Sequence, residues 1–411
     1  MPISDQPYAA RLPNELLYHI AEYTRNDRAT LKNCSLASRT WHAVARSHLL
    51  SSVDVSSYGS TIDLLSFKLA ILDDPSRCCY ITTICFEAES HATDELFVVL
   101  KQLTRLRYLT FHQIRILPTI AHDDGDVKLF THLEELSFTR CTVLGGSWQP
   151  LFDLLNLFPV VKNLKLAECL DDDLSPFDSF WGTQPLACDH QRTIVESSLI
   201  YEHLIYDPSD TYYAGVDGAF HESIRQRVDL RDLASMEAVA LSPPWNGIQR
   251  MICAAHNLKA LLLKIHGGAS PSAANTIGAP LMAMTLKTCS SIRNVQLNFS
   301  LRDPMPPHER TGAVGCCALF TKLASFLNTC PFSSPLLEVR LHINFARWYL
   351  GELPEALYWI DWSPLTSAAK VMKCVVVEMH PYEQRGAWDP EAHMPSLEGA
   401  ERVDHGLSIF Y

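Results

Sequence analysis

Residues 11–53, RLPNELLYHIAEYTRNDRATLKNCSLASRTWHAVARSHLLSSV, divide the chain in two. This stretch reads as three short helices, whereas the residues after it alternate strand-like and helix-like runs. Pro13 stands where a missing N–H costs nothing, and Glu15 falls in the first turn, where the positive end of a helix dipole favours a carboxylate. Leu16, Leu17 and Ile20 come next at helical spacing. Asp27 is placed to cap a second helix carrying Leu31, Cys34 and Leu36, and Ser38 to cap a third carrying Trp41, Val44, Ala45 and Leu49. Three helices of about ten residues bury little surface. The apolar excess at Leu12, Leu16, Leu17, Ile20 and Trp41 therefore either closes a small core of its own or awaits a partner.

The wording of the stretch favours a partner. Leu12-Pro13-x-Glu15-Leu16-Leu17-x-x-Ile20, together with Cys34-Ser35-Leu36-Ala37-Ser38-Arg39-x-Trp41-x-x-Val44-Ala45-Arg46, resembles an F-box, in particular the F-boxes of the large fungal families. The opening Leu-Pro and the later Ser-Arg-x-Trp carry the resemblance. It implies that a module over 8–53 docks on a Skp adaptor, and through it on a cullin, within a ubiquitin ligase. Leu12, Pro13, Leu16, Ile20, Leu36 and Trp41 match the positions at or supporting that contact.

Composition bounds the rest. With 411 residues, 47% hydrophobic and 19% charged, the chain is long enough for a large core and more than one domain. A net charge of −12 argues against nucleic acid as a partner, because phosphate neutralisation needs clustered Lys and Arg. There is no apolar run of signal-peptide or membrane-spanning kind, so the expected location is cytoplasmic or nuclear, with no membrane contact. The 13 cysteines then read as reduced, small, mostly buried hydrophobes. Cys78-Cys79 and Cys316-Cys317 have the wrong spacing for a zinc knuckle, and Cys188-Asp189-His190 lacks a second cluster, so no metal and no cofactor is expected.

After residue 53 one pattern recurs: apolar, two variable, apolar, one variable, apolar. It fits Leu50-Val53-Val55, Ile81-Ile84-Phe86, Leu106-Leu109-Phe111, Leu133-Leu136-Phe138 and Val161-Leu164-Leu166. It fits again at Met236-Val239-Leu241, Leu258-Leu261-Leu263, Ile292-Val295-Leu297, Leu336-Val339-Leu341 and Met372-Val375-Val377, with a weaker copy at Tyr201-Leu204-Tyr206. Starting positions lie about 32 residues apart on average, longer than regular leucine-rich repeats. Helix-like runs fall between, at Asp94–Leu103, Trp148–Leu157, Gly247–His256, Ile277–Cys289, Gly312–Asn328 and Leu353–Trp359. Cys141 and Cys169 stand where leucine-rich repeats often bury a cysteine or asparagine. The fold expected is an α/β solenoid: a three-helix F-box and then a curved, irregular leucine-rich-like arc over 54–380, with a parallel sheet on its concave side. A doubly wound α/β domain is the competing reading.

Alternation along such strands turns the residues between the apolar ones to the open face. Tyr108, His112, Glu135, Lys165, Lys264 and Gln296 are the candidate substrate contacts there, with Tyr108 and Arg340 as anchors in a polar surface of mixed sign. Residues 170–232 break the rhythm as an insertion. Its acidic run, Asp171 to Asp173 with Asp178, lacks the ligand alternation of a calcium loop, and its aromatics Phe177, Phe180, Trp181, Tyr212 and Tyr213 either pack on the arc or grip a partner. Residues 381–411 form a cap or tail with little regular structure.

No nucleophile elbow, P-loop, H-E-x-x-H or dinucleotide fingerprint is present, and His266-Gly267-Gly268 stands without a nucleophile. The expectation is a non-catalytic receptor subunit, monomeric within a hetero-complex, that binds adaptor and an unidentified protein substrate. Two alternatives stay open: an interaction or scaffold protein outside any ligase, and a hydrolase-like α/β enzyme with a degenerate site.

Overall fold

The computed structural model describes residues 12–56, 62–118, 132–144, 148–171, 192–203, 224, 227–240, 245–267, 284–301, 321–330, 338–345, 363, 374–381 and 407–410. The chain forms two compact units, Met1–Val161 with Cys169–Asp173, and Lys162–Glu168 with Leu174–Tyr411.

The first unit opens with three helices, α1 (Asn14–Tyr23), α2 (Arg28–Ala37) and α3 (Arg39–Leu49). Both expected caps form. Asp27 accepts the Thr30 N–H at 3.0 Å and the Thr30 hydroxyl at 2.6 Å, and the Ser38 hydroxyl oxygen accepts the Trp41 N–H at 3.2 Å. Leu17, Ala21, Leu31, Trp41, Val44 and Ala45 make one small core, with Cys34 and Leu49 packed against it. Leu36 points outward from the end of α2, because Leu31 and Cys34 already occupy the inward line.

Beyond α3 the strands begin. β1 (Ser52–Ser56), β2 (Thr83–Glu87), β4 (Tyr108–His112) and β6 (Leu133–Thr139) pair parallel in chain order, and each register step aligns one apolar copy with the next. Val53, Ile84, Leu109 and Leu136 form one inward row, and Val55, Phe86, Phe111 and Phe138 a second. In the second row the Phe86, Phe111 and Phe138 rings stack with centroids 5.4 and 4.9 Å apart and interplanar angles of 13° and 15°. Each such pair adds about 0.5–1.5 kcal/mol beyond the area it buries.

A second sheet runs beside the first, of β3 (Ser90–Ala92), β5 (Arg115–Leu117), β7 (Thr142–Val143) and β9 (Leu170–Asp171), also parallel. Its strands of two or three residues are too short for a periodic signal, and the sequence pattern does not predict them. The chain turns from the first sheet to the second through a left-handed residue at Ala88, Gln113 and Arg140, with φ of 55°, 53° and 56°, and Glu168, between β8 (Val160–Ala167) and β9, has a φ of 51°. Ile114, Cys141 and Cys169, which follow three of these residues, are buried. Cys141 Sγ donates to the Phe111 carbonyl at 3.4 Å and Cys169 Sγ to the Phe138 carbonyl at 3.7 Å, each reaching back to the preceding strand.

Three helical pieces close this unit: α4 (Leu64–Asp73), α5 (Thr93–Leu100) and α6 (Gln149–Asn156), with a 3-10 turn over Pro75–Tyr80. α5 and α6 stand where expected. The sequence pattern does not predict α4, because LLSFKLAIL is apolar all round and shows no stripe.

The second unit repeats the parallel scheme. β8 (Val160–Ala167), β10 (Thr193–His203), β12 (Ser235–Ala240), β13 (Ala260–Gly267), β14 (Asn294–Leu301), β15 (Glu338–Phe345), β16 (Cys374–Pro381) and β17 (Leu407–Phe410) succeed one another, with the short β11 (Val228–Asp229) beside β10. Leu199, Met236, Leu261, Val295, Val339 and Val375 share one row. α7 (Trp245–Ala254) overlaps the helix expected over Gly247–His256 but starts two residues earlier, and a helical run over 321–327 falls within the one expected over Gly312–Asn328.

Several expectations shift here. Met236 aligns with Leu261 and Ala238 with Leu263, so the true copy is Leu233-Met236-Ala238, three residues before the pattern read from Val239 and Leu241. Likewise β10 presents Leu199 and Tyr201 at those two positions, not Leu204 and Tyr206. β10 itself occupies part of the region expected to be an insertion. Met284 to Cys289 is not helical. β17 pairs parallel with Val375–Glu378, so at least Leu407–Phe410 of the tail has regular structure. Across the described residues the chain is α/β, an N-terminal helical region and then mostly parallel sheet with helices. Among the described residues no helix is long and apolar enough to cross a membrane.

Candidate functional site

α1 buries only Leu17 and Ala21, one turn apart. The neighbouring flank is left uncovered: Leu16 and Ile20, four residues apart, line up along the helix, and Leu12 stands exposed just before its start. Leu16 is 48% and Ile20 42% exposed, Leu12 and Pro13 are exposed, and Tyr23 continues the line almost bare. Leu36 at the end of α2 is 83% exposed. The module thus does both things the sequence allowed. Leu17 and Trp41 close its own core, whereas Leu12, Leu16, Ile20 and Leu36 stay in water. Of the six residues singled out for adaptor contact, Trp41 is the one that sits inside, packed under α1, where it fixes α3 relative to that helix.

The module is braced on the turn over Pro75–Tyr80. Arg46 on α3 reaches Asp74 at 2.8 Å, lies 5.5 Å over the Tyr80 ring, and shares Asp74 with Arg77, whose Nε is 3.0 Å away. The Ser76 hydroxyl donates to Asp74 as well. Together the Ser76 hydroxyl, Arg77 and Arg46 hold the Asp74 carboxyl down at about 2.

The open faces of the strands are the second candidate surface. Tyr108, His112 and Glu135 all lie on the outward side of β4 and β6, Tyr108 directly opposite Glu135 and His112 opposite Thr139. Lys165 lies outward on β8, two residues from Asn163, which accepts the Ser198 hydroxyl at 2.7 Å. Lys264 and Gln296 are diagonal neighbours: Gln296 aligns with Leu262 and Lys264 with Asn298. Gln296 donates to Asn298 Oδ1 at 3.2 Å, and Lys264 Nζ lies 2.6 Å from Glu237 Oε1. Arg340 aligns with Gln296 one strand further on.

Two residues of this face escape the sequence reading. Glu237 is hidden by the three-residue register error on β12, although Leu233 three places before Met236 is the available signal. Leu262 is half-buried between Glu237 and Gln296, an apolar patch in a polar row, and the sequence masks it as one member of a run of three leucines.

Among the described residues no group of three or more His, Cys, Asp and Glu could hold a metal ion. Cys188-Asp189-His190, the acidic run beyond Asp171, and Phe177, Phe180, Trp181, Tyr212 and Tyr213 lie outside the described residues.

Residues 9–53 match the family model described as F-box-like. The match spans α1 to α3 and ends at Val53, the second residue of β1. It points to a role in an F-box type of ubiquitin ligase assembly, whose F-box members are in general non-catalytic adaptors and typically bind a Skp adaptor. A search of curated proteins returned no match to the chain.

Proposed function

We propose that this chain is the substrate-recognition subunit of a Skp/cullin/F-box ubiquitin ligase working in the cytoplasm or nucleus. In this reading α1 and the end of α2 dock on the Skp adaptor, and the strands form a leucine-rich-like arc whose open face holds a protein. The observation that carries it is the coincidence of the F-box-like match with a bundle that satisfies its own core yet leaves Leu12, Leu16, Ile20 and Leu36 exposed. A self-sufficient bundle has no reason to set four large apolar side chains in water.

Three features support the arc: parallel pairing in chain order, apolar rows in register, and turns at Ala88, Gln113, Arg140 and Glu168 spaced like the strands. The thiols of Cys141 and Cys169 hydrogen-bond the preceding strand's carbonyl, as stacked units with a shared core require. Catalysis in this scheme is proximity: the chain makes and breaks no bond, and raises the effective concentration of a substrate lysine near a charged enzyme held elsewhere in the assembly.

The test is a pull-down of the purified chain with a Skp adaptor, comparing wild type with Leu16→Glu/Ile20→Glu. Retention by wild type and loss in the variant, with circular dichroism unchanged, supports the receptor reading. Failure of the wild type to bind overturns it and leaves an interaction protein outside the ligase.

A further inference from the structure

Two features of the first unit adjoin each other and take no part in the surfaces above. α4 buries Leu64, Phe67 and Ile71 and turns Leu65, Leu69 and Leu72 outward, 66%, 58% and 53% exposed. At i, i+4 and i+7 these three fall on one line along the helix, the spacing by which one helix offers itself to another. At the N-terminal end of α4 a half-open cavity of about 1060 Å³ lies among the ends of β1 and β2 and the strand β3. Among the described residues its charged walls are Asp63, Glu87, Glu89 and Glu95 against Lys68 and Arg115, a surplus of two negative charges. Leu65 and Lys68 belong to both features, so stripe and cavity form one continuous surface.

His91 backs the cavity and is buried. Desolvation lowers its pKa, so the ring is neutral at pH 7 and adds no positive charge to the cavity. Its Nε2 lies 3.0 Å from Glu89 Oε2 but out of line for a hydrogen bond, and has no other partner.

We propose that this surface docks a helical segment of a partner protein that lays apolar side chains along Leu65, Leu69 and Leu72 and inserts an arginine or lysine into the cavity. Charge decides the occupant. An acidic segment would add to the surplus. A second copy of this chain, at −12 net charge, would bring the same acidic walls against themselves. A wholly apolar segment would desolvate the carboxylates without a counter-charge. Arginine suits the site better than lysine, because its planar fork can meet two carboxylates at once. Three side chains from i to i+7 span about 10 Å, so a segment of about ten residues covers the stripe. The inference deepens the receptor reading by naming the kind of segment a captured protein presents, and α4 lies outside the residues of the F-box-like match.

The probe is a fluorescein-labelled amphipathic peptide of about 14 residues, with leucines at i, i+4 and i+7 and one arginine a turn beyond, titrated with the full chain. Saturable binding should weaken about tenfold when the peptide's arginine becomes glutamate, and about tenfold again in Leu69→Ser or Glu87→Gln protein. It should also fall between about 50 and about 200 mM salt. Equal binding of the two peptides, or full binding by both protein variants, overturns the proposal. Skp adaptor binding is measured on the same proteins. Loss of adaptor instead of peptide in these variants assigns the surface to the adaptor and overturns the inference while the receptor reading stands. Peptide binding without any adaptor binding sustains the inference while that reading fails.

Discussion

Leu16 and Leu17 are adjacent, identical in chemistry and opposite in consequence. Leu17 is fully enclosed with Ala21, Leu31 and Val44, so Leu17→Ala opens a cavity and should cost about 2–5 kcal/mol. Leu16→Glu adds a charge to a side chain already in water and should shift stability by no more than about 0.5 kcal/mol. Urea unfolding of the two variants checks this. Equal losses would mean that the α1 flank is packed rather than open. The thiols supply a second contrast. Burial, with Asp54 and Glu87 nearby, pushes Cys85 up to about 11, and burial, with Cys289 beside it, pushes Cys330 up to about 12. Both stay protonated, hence unreactive, at about pH 8.5, where an ordinary cysteine is half thiolate. Iodoacetamide at that pH should label exposed Cys79 and spare Cys85 and Cys330, read by peptide mass spectrometry.

At the scale of elements, the brace between α3 and the Pro75–Tyr80 turn has a pH signature. The folded Asp74 carboxyl titrates near 2, below its ordinary value of 3.8. A depressed pKa means that the stabilisation is fully present above about 3.8 and is lost as the pH falls through about 2. Asp74→Asn should therefore lower the unfolding temperature at pH 5, and the gap from wild type should close as both approach pH 2. A gap independent of pH would show that the charge of Asp74 is not what matters. Elements also show what sequence can and cannot convey. The caps at Asp27 and Ser38 are legible because capping is a rule about one side chain and an N–H three residues on. The open-face positions Tyr108, His112, Glu135, Lys165, Lys264 and Gln296 are legible because alternation along a strand is local too. Register on β12 is not. Ala238 is small because Tyr201 fills the neighbouring place in the row, and a pattern that looks for large apolar residues slides past it to Val239. The acidic cavity beside α4 is hidden for another reason: Asp63, Glu87, Glu89 and Glu95 meet only through the turn at Ala88 and the helix start at Leu64.

For the whole molecule the relevant question is what protects the first edge of the β1–β6 sheet. β2 pairs with β1 over Ser52–Ser56, and β1 carries Ser52, Asp54 and Ser56 on alternate positions, a polar series that discourages pairing with another chain. Its own outer edge is partly occupied, since the Ser56 N–H donates to the Ile62 carbonyl at 3.0 Å. β2, with Ile84, Cys85 and Phe86 in sequence, has no such protection once β1 is gone. The three helices contribute bracing rather than edge cover, because their core is separate and Arg46 reaches the turn, not the strand. A chain beginning at residue 51 should accordingly remain folded and monomeric while losing adaptor binding, whereas one beginning at residue 57 should self-associate. Size-exclusion chromatography with light scattering distinguishes them. If the longer truncation is as monomeric as the shorter, the edge of β2 is not exposed by losing β1. If both associate, the helical module is itself the cap on the strands, and adaptor docking and folding of the first unit cannot be separated.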